Sequence, residues 1–368
     1  MTLTGPTLTG PTLSKQPGYA RLDEDDVRVR PGRGTRPRTR TRPAHSSAIE
    51  GFVVAVDRGR YSCDLDGRPV TAMAARELAR GSVVVGDRVF LAGDVTGATG
   101  SLARIVRVVP RVSALRRSAD DVDPVERVIV ANAEQMVIVC ALASPAPGLR
   151  FVDRCLVAAY DAGLSPLLVL TKADLATSSA LRSVRAVYAP LGMPIITTRR
   201  PLPAVTLSRL RSAMAGRVSV LIGQSGVGKS TLVNTLVPDA ARAVGRVNPV
   251  TGRGRHTSSS AVAIPLPLPR GAAEDSAGWL IDTPGLRGFG LGNVSADRIV
   301  AAFGDLADGI AECPPGCDHA GLGAEDDTAD GCALDEWARA NHAGARLDSL
   351  RRLLASREGI GSEGVGGS

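Results

Sequence analysis

The chain has 368 residues, an apolar fraction of 44% and a formal net charge of +7. This length and apolar content exclude a fully disordered chain and allow two or three domains with buried cores. The basic excess favours a polyanionic partner, whereas an aromatic content of 3% argues against nucleic-acid binding by aromatic stacking platforms. Because no apolar run reaches membrane-spanning length and no secretory signal is visible, we expect a cytoplasmic protein with no membrane partner.

Both ends of the sequence, residues 1–47 and 356–368, are predicted to be disordered. The first segment repeats Thr-Leu-Thr-Gly-Pro and continues into a run rich in Arg, Pro and Gly, which lacks the apolar residues needed for a core. The basic run is either an arm that contacts nucleic acid or a solvated tail, and the sequence leaves both interpretations open.

Residues 48–112 are predicted to form a small β-barrel. Five short segments there are rich in β-branched or alternating apolar residues, and Asp66-Gly67 is a hairpin signal. The predicted strands are 51–56, 60–65, 70–73, 83–91 and 102–109. Five strands in about sixty residues suit a barrel of the oligonucleotide-binding (OB) type. Its many arginines favour contact with RNA, and a barrel without a nucleic-acid role is the alternative.

Residues 113–292 alternate apolar strands with helical segments, which predicts a doubly wound α/β domain with a parallel sheet. Within it, an apolar strand at 218–222 runs into a glycine-rich loop and then into a helical segment. The loop and the next residue are Gly223, Gln224, Ser225, Gly226, Val227, Gly228, Lys229, Ser230 and Thr231. Strand, G-x-x-x-x-G-K-S loop and helix together predict a phosphate-binding loop, in which Lys229 reaches the β- and γ-phosphates and Ser230 ligates Mg²⁺.

A second nucleotide motif follows another predicted strand, 167–170. Thr171-Lys172-Ala173-Asp174 resembles the N-K-x-D motif, whose carboxylate accepts two hydrogen bonds from guanine that adenine cannot supply. Lys15, Lys172 and Lys229 are the only lysines in the sequence, so two of the three fall in nucleotide motifs. The sequence therefore predicts a site for GTP and GDP.

The strand 279–281 ends in Asp282-Thr283-Pro284-Gly285, which fits the turn that senses Mg²⁺ and the γ-phosphate in nucleotide switches. Asp282 is predicted to hold Mg²⁺ through water, and Gly285 to donate its N–H to the γ-phosphate. Thr257, in the polar loop before this strand, is predicted to bind Mg²⁺ in the triphosphate state. Because the guanine motif precedes the phosphate loop, the order predicts a circularly permuted GTPase domain.

Residues 293–355 are predicted to form a mainly helical C-terminal domain with one zinc ion per chain. Three thiols and an imidazole form the ligand set of a closed structural zinc site: Cys313, Cys317, His319 and Cys332. A redox pair or inert thiols are the alternatives. Helical spacing of apolar residues continues from Trp337 to Leu354.

On these motifs, residues 48–355 resemble the family of ribosome small-subunit-dependent GTPases A (RsgA). The resemblance implies a cytoplasmic GTPase that binds the small (30S) ribosomal subunit and its rRNA late in maturation and is stimulated by the subunit. The sequence departs from the family pattern at Thr171, where Asn is usual, and in a longer gap before Cys332. The shorter Thr171 side chain is expected to weaken the tie between the base site and the phosphate loop.

Leu286 stands where Ras-like GTPases keep a water-orienting Gln, which predicts slow intrinsic hydrolysis of GTP. His256, beside Thr257, is the candidate for orienting the attacking water; a role only in positioning the loop is the alternative. An alternative function is a nucleotide-regulated RNA-binding module whose hydrolysis is incidental. We expect a monomer.

Overall fold

The computed structural model describes residues 47–79, 81–118, 126–143, 147–238, 261–267, 277–283, 294–319 and 332–362. The predicted N-terminal tail lies outside these ranges, apart from its last residue.

Five strands close into a barrel at the start of the described chain. They are β1 (Ile49–Asp57), β2 (Arg60–Leu65), β3 (Arg68–Ala74), β4 (Arg88–Gly93) and β5 (Ala103–Val108). The pairing order is β1-β2-β3-β5-β4 and returns to β1, with β3 and β5 parallel and the other pairs antiparallel. The Asp66-Gly67 turn has positive φ at both residues, as a tight hairpin requires. A β-bulge between Val53 and Ala55 interrupts the register of β1 with β2. The predicted OB-type barrel is therefore confirmed.

A two-stranded ribbon, β6 (Ala114–Ser118) and β7 (Glu126–Ala131), connects the barrel to the α/β domain. Beside it, Arg111 donates to both carboxylate oxygens of Asp87 at 2.7 and 2.8 Å, and Asp87 is fully buried. The barrel also meets the α/β sheet directly, because Ala55 of β1 pairs with Val262 and the Phe52 ring lies 5.0 Å from that of Trp279.

The α/β sheet has the order β10-β9-β8-β11-β13-β12. Its strands are β8 (Gln135–Ala141), β9 (Ser165–Thr171), β10 (Ile195–Thr197), β11 (Val218–Gly223), β12 (Val262–Pro265) and β13 (Trp279–Asp282). All neighbours in this order are parallel except β12 and β13. Strand β8 is buried along its whole length, which explains its continuous apolar sequence.

Helices cover both faces of this sheet. They are α1 (Leu149–Asp161), α2 (Ser178–Tyr188), α3 (Ala204–Met214) and α4 (Lys229–Leu236). Side chains of α1 and α2 pack in one apolar cluster, and those of α3 and α4 pack in another. Two separate cores on opposite faces confirm the doubly wound arrangement.

The C-terminal part is helical, as predicted. Its helices are α5 (Ala296–Ala301), α6 (Ala307–Ala311), α7 (Leu334–Ala340) and α8 (Gly344–Ser362). The helical spacing predicted from Trp337 to Leu354 is broken between α7 and α8, where His342 has a φ of 54°. Helix α8 continues to Ser362 and so covers the start of the segment 356–368 that the sequence predicts to be a disordered tail. Within the described ranges, none of the helices combines the length and apolarity needed to traverse a lipid bilayer.

Candidate functional site

The glycine-rich loop connects the buried strand β11 to the first residue of α4, Lys229. Gly228 precedes the helix with a φ of 99°, a conformation that residues with a Cβ rarely adopt. A Cβ on Gly223 would lie 2.7 Å from the Val139 carbonyl oxygen of the neighbouring strand β8. The loop therefore requires glycine at both positions, and its amides lie where a helix N-terminus attracts anions.

Lys229 lies against this loop. Its Nζ donates to the carbonyl oxygen of Gly223 and, at 2.8 Å, to that of Gln224. Partial burial lowers the pKa of Lys229, and the negative charge of Asp282 acts in the opposite direction. Carbonyl oxygens of the loop itself therefore hold the Lys229 ammonium in place.

The predicted guanine motif begins at the last residue of β9 and contacts the phosphate loop. Thr171 is buried, and its Oγ1 donates to the Val227 carbonyl oxygen at 2.6 Å. Although Asn is usual at this position in the resembled family, the hydroxyl still ties the two motifs together. The tie between the base site and the phosphate loop is therefore present as one hydrogen bond from the side chain to the loop backbone.

The two motifs line one cleft of about 600 Å³. Its lining includes Thr171, Lys172, Asp174, Ser225, Gly226, Gly228, Lys229, Ser230 and Thr231. The cleft brings together residues that are separated by about fifty positions in the sequence, because β9, β8 and β11 are adjacent and parallel. Of the other predicted residues of the loop, Val227 is buried and the Gln224 side chain lies against Gly148, which precedes α1.

Sequence reasoning missed the third segment of the cleft wall, Thr198, Arg199 and Arg200. These residues directly follow β10, which is parallel to β9. The signal was present, because loops after neighbouring parallel strands meet at the same edge of a sheet.

Asp282 ends β13 next to the phosphate-loop strand, in register with Leu221 of β11. The buried Thr283 donates its hydroxyl to the Leu221 carbonyl oxygen at 3.0 Å, which fixes the start of the predicted switch turn. Asp282 therefore lies at the end of the strand beside the one that leads to Ser230, so neighbouring strands place both predicted Mg²⁺ ligands at one edge of the sheet. The other predicted switch residues, His256, Thr257 and Gly285, lie outside the described residues.

The four predicted zinc ligands converge in the C-terminal part. The ligand atoms of Cys313, Cys317, His319 and Cys332 all lie within 4.8 Å of one another. The Cys313 and Cys332 sulfurs are 3.9 Å apart, and the Cys332 sulfur is 4.0 Å from His319 Nδ1. A tetrahedral ion with Zn–S bonds near 2.3 Å separates its sulfur ligands by about 3.8 Å. The donor set and its spacing therefore fit zinc.

Neighbouring groups support the cluster. Burial, together with the adjacent thiols, raises the pKa of Cys332 to about 11, and burial lowers the pKa of His319. Arg351 donates to the His319 carbonyl oxygen at 3.1 Å and forms two 2.7 Å bonds to the carboxylate of Asp335. A cation bound here would displace the thiol protons and would meet a neutral imidazole, which is the form that ligates metals.

A buried ion network joins the α/β domain to the C-terminal helices. Arg346 of α8 contacts Asp153 of α1 at 3.3 Å and Asp305 at 2.8 Å. The Arg346 and Asp153 side chains are only 3% and 1% exposed. The Arg346 guanidinium also lies 4.2 Å from the centre of the Phe303 ring, and the Tyr188 hydroxyl is 3.1 Å from Asp153. This network was not predicted, because nothing in the sequence distinguishes these charges from surface charges.

Comparisons with known proteins agree with this architecture. A family model described as RsgA GTPase matches residues 108–292. The small ribosomal subunit biogenesis GTPase RsgA of Pseudomonas aeruginosa (strain LESB58) is 38% identical over 280 residues, which cover 75% of this chain and 76% of that protein. The protein of the same name from Pseudomonas syringae pv. tomato (strain ATCC BAA-871 / DC3000) is also 38% identical, over 282 residues and 75% of each chain.

Two solved structures share the fold. YjeQ from Thermotoga maritima superposes with a TM-score of 0.63 at 22% identity, over 85% of this chain and 99% of that one. YloQ, described as a circularly permuted GTPase, gives a TM-score of 0.60 at 18% identity, over 86% of this chain and 97% of that one. These similarities support the permuted order of motifs that the sequence predicts.

Proposed function

The chain belongs to the RsgA GTPase family, and we propose that it hydrolyses GTP to GDP and phosphate during late maturation of the small ribosomal subunit. The observation that carries this proposal is the single cleft in which the phosphate loop and Thr171–Asp174 meet. The hydrogen bond from Thr171 to Val227 couples the base site to the phosphate site, so both ends of one nucleotide are read together.

Within this cleft, Asp174 accepts the ring and amino N–H groups of guanine, and the Lys172 stem covers the base. The loop amides and Lys229 bind the β- and γ-phosphates. Ser230, Asp282 and Thr257 are the proposed holders of Mg²⁺, which neutralises charge on the transferring phosphoryl group. The Gly285 N–H is proposed to report on the γ-phosphate.

Hydrolysis by the isolated chain is proposed to be slow, because Leu286 cannot orient a water molecule. His256 is the proposed water-orienting residue, and the small subunit is proposed to supply or order the catalytic element. A His256→Ala variant is expected to lose subunit-stimulated turnover while keeping its affinity for GTP. Wild-type stimulated turnover in this variant would remove His256 from the mechanism.

The cluster of Cys313, Cys317, His319 and Cys332 is proposed to hold one structural zinc ion per chain. The support is the convergence of four ligand atoms within 4.8 Å of one another in the helical C-terminal part. Zinc there connects the segment before α7 to the segment after α6, so its contribution is to folding rather than to chemistry.

The proposed partners are the small ribosomal subunit and its rRNA, and the proposed location is the cytoplasm. Support comes from the names of the relatives and from the arginines of the barrel, among them the exposed Arg60, Arg88 and Arg104. An OB-type barrel with such a surface suits a polyanionic strand.

The decisive experiment measures GTP turnover with and without isolated small ribosomal subunits. We expect slow turnover by the chain alone, stimulation by the subunits, and no turnover in a Lys229→Ala variant. A competition assay in which ATP displaces GTP equally well would refute the guanine assignment. Turnover that small subunits leave unchanged would refute the assignment to subunit maturation.

A further inference from the structure

The loop after β10 runs directly beside the predicted guanine motif. The Thr198 N–H donates to the Leu170 carbonyl oxygen at 2.7 Å, and the Ala173 N–H donates to the Thr198 carbonyl oxygen at 3.1 Å. The first bond extends the pairing with β9 beyond the end of β10, and the second lies beyond the ends of both strands. The residues that follow are therefore carried to the mouth of the nucleotide cleft.

Arg200 contacts both ends of this cleft. Its backbone N–H donates to Asp174 Oδ1 at 3.1 Å, at the end that reads the base. Its guanidinium Nη2 donates to Thr231 Oγ1 at 2.5 Å, in the first turn of α4. The backbone bond would be available to any residue except proline, whereas the second contact depends on the arginine side chain.

We propose that the Arg200 guanidinium binds the α-phosphate of the nucleotide; this inference rests on the proposed function. Thr231 lies two residues beyond Lys229, and Lys229 serves the β- and γ-phosphates. A group held at Thr231 by a side chain that starts beside Asp174 therefore lies between the base and the β-phosphate. The α-phosphate is the anionic part of a nucleotide in that interval.

The chemistry of the side chain fits this assignment. A guanidinium keeps its charge at any relevant pH and carries five N–H donors in a planar fork that matches phosphate oxygens. Its bond to Thr231 uses one donor and fixes the head of a long side chain on one side of the cleft. Because GDP and GTP both carry an α-phosphate, Arg200 is a binding residue that adds affinity to both and does not distinguish the two states.

Equilibrium binding of guanosine, GMP and GDP to Arg200→Ala tests the proposal, since these ligands differ only in their phosphates. We expect GMP and GDP to lose about the same factor, near tenfold, as for one charge-assisted hydrogen bond. Guanosine affinity is expected to stay within about twofold. An Arg200→Lys variant keeps the charge and loses the planar fork of donors. Its affinities for GMP and GDP should lie between those of wild type and Arg200→Ala.

Arg182→Ala is the matched control, because Arg182 is an exposed arginine on α2 and its removal changes the net charge equally. Wild-type GDP affinity in Arg200→Ala, or an equal loss in Arg182→Ala, would overturn the proposal. An equal loss for guanosine would show that the side chain covers the base. Tighter binding by Arg200→Ala would show that it obstructs the cleft.

Failure of the proposed function has a different signature. If wild type binds ADP as tightly as GDP, the guanine assignment fails, yet Arg200→Ala should still weaken both ligands because both contain an α-phosphate. If wild type binds neither nucleotide, both the proposed function and this inference fail.

Discussion

The proposed nucleotide cleft and the proposed zinc cluster offer different parts of the chain to their ligands. In the cleft, the proposed phosphate-binding groups are the amides of the glycine-rich loop and the Lys229 ammonium, and the strands beside them are buried. In the cluster, four side chains converge from two segments, and the surrounding helices α5–α7 have only five to seven residues each. We therefore expect the cleft to be preformed by the sheet and the cluster to depend on a bound cation for its local structure.

The two regions are connected through α1. Its preceding residue, Gly148, touches the side chain of Gln224 in the phosphate loop, and Asp153, less than two turns later, pairs with Arg346. One short helix thus contacts the phosphate loop and the C-terminal helices. The buried ion pair at this joint between α1 and α8 favours one placement of the two helices relative to each other. Separating the pair would leave a buried charge without its partner, which costs several kcal/mol of folding free energy.

The largest effect is expected from breaking the cluster. A Cys332→Ser variant should lose the bound zinc and, with it, a large part of the binding free energy that structural sites convert into folding, on the order of 10 kcal/mol in peptides. Hydrogen exchange in 294–319 and 332–362 should rise steeply, while GDP affinity stays within about threefold. Zinc content, exchange and GDP titration would be measured on the same preparation.

The matched control for the cluster is Cys63→Ala, in which a fully buried barrel thiol is removed. This variant should keep one zinc per chain. If Cys332→Ser also keeps one zinc, or keeps its exchange pattern, the contrast between a preformed cleft and a cation-dependent cluster is wrong.

The next effect concerns the joint. Arg346→Met removes one side of a nearly fully buried network and should lower the free energy of unfolding by about 3–5 kcal/mol. Arg298→Met is the comparison, since Arg298 of α5 pairs with Asp161 of the same helix α1 but is 59% exposed. Its loss should not exceed about 1 kcal/mol. Urea unfolding measures the loss for both variants. Equal losses in the free energy of unfolding would mean that burial does not determine how much these ion pairs stabilise the fold.

The sequence predicted the cleft better than it predicted the joint. Thr171, Asp174 and Lys229 could be placed together because each follows an apolar strand, and strand ends of a parallel sheet share an edge. Arg346 and Asp153 are separated by almost two hundred positions and lie on helices, where a charge usually faces solvent. No local pattern marks the few charges that are buried in pairs.

The apolar spacing in the C-terminal part also could not predict where one helix ends and the next begins. Apolar periodicity from Trp337 to Leu354 predicted one continuous helical segment, yet His342 adopts a left-handed conformation and separates α7 from α8. The break lets both helices pack on the same cluster, which includes Leu334 and Leu350. Such a turn is selected by tertiary packing, to which a periodicity argument has no access.

A smaller effect is expected from removing the hydrogen bond between Thr171 and the phosphate loop. Thr171→Val keeps the side-chain shape but leaves the Val227 carbonyl oxygen without its donor, which should cost about 1 kcal/mol of the free energy of GDP binding. GDP should then dissociate about fivefold faster, as followed by displacement of a fluorescent GDP analogue. Thr171→Ser and Thr171→Asn both retain a donor and should stay within about twofold of wild type. If Thr171→Val also stays within that range, the cleft does not depend on this tie.

The smallest effect is a pH dependence at the joint. Burial raises the pKa of Asp153 above its ordinary value, while Ser349, Arg346, Tyr188 and Arg352 act in the opposite direction. Because the folded state then holds the proton more tightly than the unfolded state, stability falls as pH rises from the ordinary pKa of an Asp, about 3.9, through the raised value. Asp153→Asn should remove this contribution, seen as a difference between urea-unfolding curves of variant and wild type across that range.

Arg346→Met should change the same pH dependence in a predictable direction. Without the guanidinium, the pKa of Asp153 should rise further, so the falling part of the stability curve should extend to higher pH than in wild type. Parallel curves for wild type, Asp153→Asn and Arg346→Met would mean that Asp153 has the same proton affinity in the folded and unfolded states. The contact between α1 and α8 would then owe its strength to packing around Phe303 and Tyr188 rather than to a buried charge.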